Sequence, residues 1–104
     1  IGDRSSVQDN SVIHVYPGSE SVIGNDVTVA HGVILHDVHI HDRCMIGIGA
    51  IILFNVVCEE DVFVSVGSLV PRGMRVPAGK IGIEAYRYLC RQYLATMKTI
   101  TESL

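Results

Sequence analysis

Three of the five histidines in this 104-residue chain, His14, His31 and His36, fall at set places in a six-residue repeat. An imidazole can ligate a transition metal, act as a general base near neutral pH, or carry a proton. Which of these it does depends on the elements that hold it, so the repeat has to be placed first.

Aliphatic or similarly small apolar residues recur at Ile1, Val7 and Ile13, then Ile23, Val29 and Leu35, then Ile40, Ile46 and Ile52, then Cys58, Val64 and Val70. The step is six residues except twice: Leu35 to Ile40 is one short, and Ile13 to Ile23 carries an insertion around Tyr16, Pro17 and Gly18. Small or modest residues stand four after each anchor, as at Ser5, Ser11, Val27, Val33, Cys44, Ala50, Val56, Val62 and Ser68, with His39 the misfit in that row. Gly often follows the anchor, as at Gly2, Gly24 and Gly47, where the chain is expected to turn. A period of six fits neither an amphipathic helix nor one long strand. It fits short strands joined by corners, three per coil, stacked into a parallel β-solenoid with the anchors buried along its axis.

On this frame His14 follows the third anchor of the first coil and His36 the third anchor of the second. They hold the same position in successive coils, so they stack at the spacing of adjacent strands, about 4.8 Å. Two imidazoles at that spacing can share a metal. His31 lies two residues after Val29, more than a quarter of the way around the prism, and cannot easily turn back to the pair. A neighbouring copy can supply its own His31, and a cyclic trimer is the simplest closed assembly that gives equivalent sites. Three neutral imidazoles with an open fourth position make water acidic near neutral pH and point to hydrolysis or hydration. The alternative is solvated histidines at polar corners. His39 and His41 follow the same reading, since neither shares the repeat position of His36.

Length predicts one core. Hydrophobic residues make up 48% of the chain but are spaced, with no apolar run long enough to span a bilayer. A net charge of −3 without a Lys/Arg cluster argues against nucleic acid or an anionic membrane as the main partner. Cys44, Cys58 and Cys90 are odd in number, and the first two fall at core positions, which predicts reduced thiols and a cytoplasmic protein. The chain has no signal peptide and starts mid-repeat at Ile1-Gly2-Asp3, which reads as a trimmed chain with earlier coils above it.

The repeats are expected to stop near Pro71, where a stretch to Lys80 containing Gly73, Pro77 and Gly79 reads as a linker. From about Ile83 the period becomes helical: Tyr86, Leu89, Cys90, Tyr93, Met97, Ile100 and Leu104 form one stripe. The expected organisation is a β-solenoid over 1–79 and a linker with a packing helix over 80–104.

The run from Ile1 to His14, with Gln8 and Asp9, followed by Val27-Thr28-Val29-Ala30-His31-Gly32 and Leu35-His36, resembles the gamma-class carbonic anhydrases of the hexapeptide-repeat proteins. The resemblance implies a left-handed parallel β-helix followed by a C-terminal α-helix, against the usual right-handed crossover preference. It implies Zn2+, or Fe2+ or Co2+, held between subunits of a homotrimer by His14 and His36 of one chain and His31 of the next. It further implies reversible hydration of CO2 to bicarbonate by metal-bound hydroxide. Gln8 would hydrogen-bond the reacting oxygens, Asp9 would lie beside it, and Tyr86 would reach toward the metal from the terminal helix. An acidic shuttle loop in the archetype is here the short insertion Val15 to Val22, with Glu20 as its one carboxylate. Two further classes stay open: an acyl-CoA-dependent acyltransferase or thioesterase using a histidine as general base, and a metal-binding assembly module with little hydratase activity.

Overall fold

The computed structural model describes residues 1–79; the expected helix, with Tyr86 and Cys90, lies outside the described residues. Twelve strands of two or three residues follow one another: β1 Ser6–Val7, β2 Val12–His14, β3 Val22–Ile23, β4 Thr28–Val29, β5 Ile34–His36, β6 His39–Ile40, β7 Met45–Ile46, β8 Ile51–Ile52, β9 Val57–Cys58, β10 Phe63–Val64, β11 Leu69–Val70 and β12 Arg75–Val76. They form three parallel sheets, β1-β4-β7-β10, β2-β5-β8-β11 and β3-β6-β9-β12. Every third strand therefore pairs, which is the wall of a three-sided parallel β-solenoid of four coils.

The anchors pair with their own kind. Val7, Val29, Ile46 and Val64 run down the first sheet, and Ile13, Leu35, Ile52 and Val70 down the second. Ile23, Ile40, Cys58 and Val76 run down the third. From the second coil on they are buried, joined by Val27, Val33, Val38, Cys44, Ala50, Val56 and Val62 from the row two residues before the next anchor. Burial of the Cys58 thiol pushes its pKa up to about 12. In the first coil, at the end of the stack, Val7 and Ile13 remain more than a third exposed.

The repeat runs further than its Pro-rich ending suggests. Arg75–Val76 forms β12, and Val76 is buried against the core, because Pro71 and Gly73 sit in a corner and leave the next strand free to pair with β9. The irregular step is also explained. Only Asp37 and Val38 separate β5 from β6, so Val38 takes the inward place and His39 is an outward strand residue.

Glycine after an anchor answers to crowding rather than turning. A Cβ on Gly47 would stand 2.6 Å from the Val66 nitrogen and 2.7 Å from the Val64 oxygen of the next coil. The left-handed backbone of the corners falls later, at Gly32, Gly49 and Gly67 in one corner column and at Arg4, Asp26, Arg43 and Asp61 in another. In the latter column Arg4 pairs with Asp26 at 2.7 Å and Arg43 with Asp61 at 2.8 Å, a ladder of alternating charge. Each guanidinium holds its partner's carboxyl below the ordinary range, mainly through the hydrogen bond.

Candidate metal centre

The corner between the second and third sheets gathers the chemistry. β2 and β5 each run one residue past their anchor, and the parallel register sets His14 directly against His36. The rings lie 4.4 Å apart between centroids, and His14 Nδ1 stands 2.9 Å from His36 Nε2. Two imidazoles on one tetrahedral ion, with bonds of about 2.0 to 2.1 Å, have nitrogens roughly 3.3 Å apart. The pair is within a few tenths of an ångström of that, so the donor set fits a metal.

Two aromatic rings close on the pair. Phe54, from the corner of the next coil, meets His36 edge-on at 4.1 Å, and Tyr16, from the insertion, lies 4.8 Å from His36 and 6.1 Å from His14. Behind them stands Asp37, whose side chain is 5% exposed. One of its oxygens is 3.0 Å from His36 Nδ1, and the other accepts the Tyr16 backbone N–H at 3.1 Å. Asp37, Tyr16 and Phe54 were not legible as site residues from the repeat alone. The signal available was local: Asp37 follows a candidate ligand in the one shortened corner, and Tyr16 and Phe54 occupy the same corner column in the coils on either side of it.

His31 is elsewhere. It sits exposed in the corner between the first and second sheets, at the opposite end of β5 from His36. Gln8 and Asp9 occupy the same corner one coil away, where the Asp9 carbonyl accepts the Gly32 N–H at 3.0 Å. The structure thus brings His14 and His36 together, and groups Gln8 and Asp9 with His31 apart from them. Below His31 the column continues with Ile48 and Val66, which are 51% and 67% exposed, an apolar ridge.

The remaining histidines separate from the pair. His39 faces outward and lines a 480 Å³ cavity with Gly18, Ser19, Glu20, Asp37, Asn55 and Val57. His41 lies beside Glu59 and Glu60, with ligand atoms of all three within 4.8 Å, while Arg75 pairs with Glu59.

A parallel solenoid of six-residue coils, with histidines of successive coils paired at one corner, defines a hexapeptide-repeat protein with a histidine corner. No family model matches the chain. It is 36% identical over 87 residues to the Arabidopsis thaliana protein "Gamma carbonic anhydrase 1, mitochondrial", a match covering 78% of this chain and 32% of that one. Its fold matches a hexapeptide transferase family protein from Anaplasma phagocytophilum with TM-score 0.74 and 34% identity, over 78% of this chain and 47% of that one. A Bacillus cereus structure described as a candidate acetyltransferase matches with TM-score 0.73 and 43% identity, over the same shares. The chain belongs to the gamma carbonic anhydrase family of hexapeptide-repeat proteins. It spans less than half the length of these relatives.

Proposed function

We propose that this chain is the catalytic solenoid of a gamma-class carbonic anhydrase-like metalloenzyme that reversibly hydrates CO2. The observation that carries this is the His14–His36 pair, in register and 2.9 Å apart between nitrogens. In this reading His14 and His36 of one subunit and His31 of the next hold Zn2+, with Fe2+ or Co2+ as substitutes, in a homotrimer of left-handed coils. A zinc ion in three neutral imidazoles supplies Lewis acidity that makes water acidic near neutral pH.

The chain's own residues do the rest. Phe54 and Tyr16 keep bulk water from the His36 side and give CO2 an apolar surface. Gln8 arrives with His31 from the neighbouring corner, and its amide can donate to a substrate oxygen; Asp9 accompanies it at the subunit face. The apolar ridge of Ile48 and Val66, continuous with His31, supports that corner as the subunit contact. So does the outer row of the second sheet, Val12, Ile34, Ile51 and Leu69, which lies between the two corners and is aliphatic throughout. Tyr86, in the expected packing helix of 80–104, is the family's candidate for a tyrosine near the metal. Reduced Cys44 and Cys58 support a cytoplasmic setting.

The test is CO2 hydration by stopped flow with metal content measured on the same sample. The expected result is about one metal per subunit and turnover that vanishes in His14→Ala; one metal per subunit without turnover refutes the hydratase reading. A second reading, an acyl-CoA-dependent transferase, is favoured by the likeness to the Bacillus cereus structure. It requires acyl-CoA binding that survives removal of the metal.

A further inference from the structure

The carboxylate of Asp37 is buried, bonded to a candidate ligand, and held on a backbone that does not favour it. Asp37 has φ +52°, in the left-handed region where glycine is the least strained residue. Aspartate tolerates that region better than most residues, but glycine would cost less. What the side chain gains there is two hydrogen bonds, one to each wall of the histidine corner.

We propose that Asp37 is a positioning residue for the metal centre, setting the tautomer of His36 and pinning the loop that follows His14. An ionised carboxylate only accepts hydrogen bonds, so the Asp37 oxygen 3.0 Å from His36 Nδ1 requires the proton on Nδ1. The lone pair of His36 then lies on Nε2, the nitrogen that faces His14 at 2.9 Å. The second Asp37 oxygen takes the Tyr16 N–H at 3.1 Å, two residues after His14, so one carboxylate fixes His36 and the segment carrying the aromatic cover together. Carboxylates that hold a ligating imidazole in this way raise its basicity and orient its ring, and losing one typically costs about 10- to 100-fold in metal affinity.

The shortened corner is what makes the arrangement available. With Val38 already facing the core, the corner between β5 and β6 is Asp37 itself, at φ +52°. Its N–H bonds to the His14 carbonyl at 3.0 Å, which locks the carboxylate beside both histidines.

Substitution by asparagine separates this role from space filling. In Asp37→Asn the side-chain amide offers one acceptor and one donor to two N–H groups that both need acceptors. If its oxygen keeps Tyr16, its NH2 donates to His36 Nδ1 and moves the imidazole proton to Nε2; if its oxygen keeps His36, the Tyr16 N–H loses its partner. The inference rests on the metal-site reading above, so the experiment has a metal-free arm. Long-range 1H–15N correlation spectra of the metal-free chain are expected to show His36 as the Nδ1–H tautomer, to lose that signature in Asp37→Gly, and in Asp37→Asn to lose either that signature or the exchange protection of the Tyr16 N–H. In competition with a chromophoric chelator, Asp37→Asn and Asp37→Gly are each expected to bind Zn2+ about 10- to 100-fold more weakly. Asp37→Gly should do so while unfolding at no lower urea concentration than the parent chain. An Nδ1–H tautomer retained in Asp37→Gly, or parent zinc affinity in either variant, overturns the proposal. His36→Ala is the control: if it still binds zinc, the metal-site reading fails, while the metal-free spectra still judge the hydrogen bond.

Discussion

Mixing two inactive variants tests whether the centre is shared between subunits. His36 ends β5 and His31 sits beyond its other end, in the corner turned by Gly32, so that the extended stretch Val33 to His36 alone sets them roughly 10 Å apart. Each ligand nitrogen must come within about 2.1 Å of the ion, so one chain cannot deliver both. In a cyclic trimer each site takes His14 and His36 from one subunit and His31 from the next. Neither His31→Ala nor His36→Ala alone can then form an intact site. Co-expressed with different tags and purified through both, every mixed trimer contains one junction, in the sense required, where a His31→Ala subunit is followed by a His36→Ala subunit. This holds for either 2:1 composition, because a ring of three with two kinds of member changes from one kind to the other once in each direction. The expected result is about one zinc per mixed trimer and roughly one third of parental turnover per trimer, against none for either variant alone. Zinc and turnover are read by atomic absorption and stopped flow on the doubly tagged fraction. Mixed trimers with no zinc refute the shared site, and three zinc ions per trimer refute the ligand assignment.

Three other outcomes follow from the corners and the core. Gly47→Ala should lower unfolding free energy by about 1 to 3 kcal/mol, because its new Cβ meets backbone 2.6 Å away, whereas Gly49→Ala has open space and a φ of +70° and should be largely rescued by Gly49→Asn; urea titration compares them. The Asp61 carboxyl, lowered by Arg43, should titrate below the ordinary value in 13C NMR and return toward it in Arg43→Ala. Because its folded pKa is depressed, what it contributes is present above the unfolded value and fades as pH falls through the folded one. Cys44 and Cys58 should resist a thiol reagent at pH 8 in folded Cys90→Ser protein and react on unfolding, since burial raises both thiols; rapid labelling of the folded state would contradict the burial of these two thiols.

The solenoid was legible because each anchor repeats one demand: an aliphatic side chain facing an axis already filled by its neighbours. Leu35, Ile40 and Ile46 could be placed without a structure for that reason. Val38 and His39 show where counting fails, since a missing residue could be charged to the strand or to the corner, and only the packing decides that Val38 turns inward. Gly47 shows a second limit: a glycine needed for the approach of the next coil looks the same in sequence as one needed for a turn. Arg75–Val76 was masked by its Pro and Gly neighbours, which suit a corner as well as a linker. At the site, His14 and His36 followed from period alone. Asp37, Tyr16 and Phe54 did not, because their roles depend on which corners are long and which are short.

That unevenness of corners has a consequence for how the molecule could be altered. The segment 15–21 of the first coil overhangs the two-residue corner of the second, leaving a recess where Glu20, Asp37, His39 and Asn55 line the cavity. Overhang and recess are made of residues outside the aliphatic column, so their lengths can be traded against each other while every coil keeps its rise and register. The rim of the cavity beside His39 is in this sense an exchangeable fitting. Lengthening or trimming it would set which small molecules gain entry, on a scaffold whose own stability is decided one layer further in.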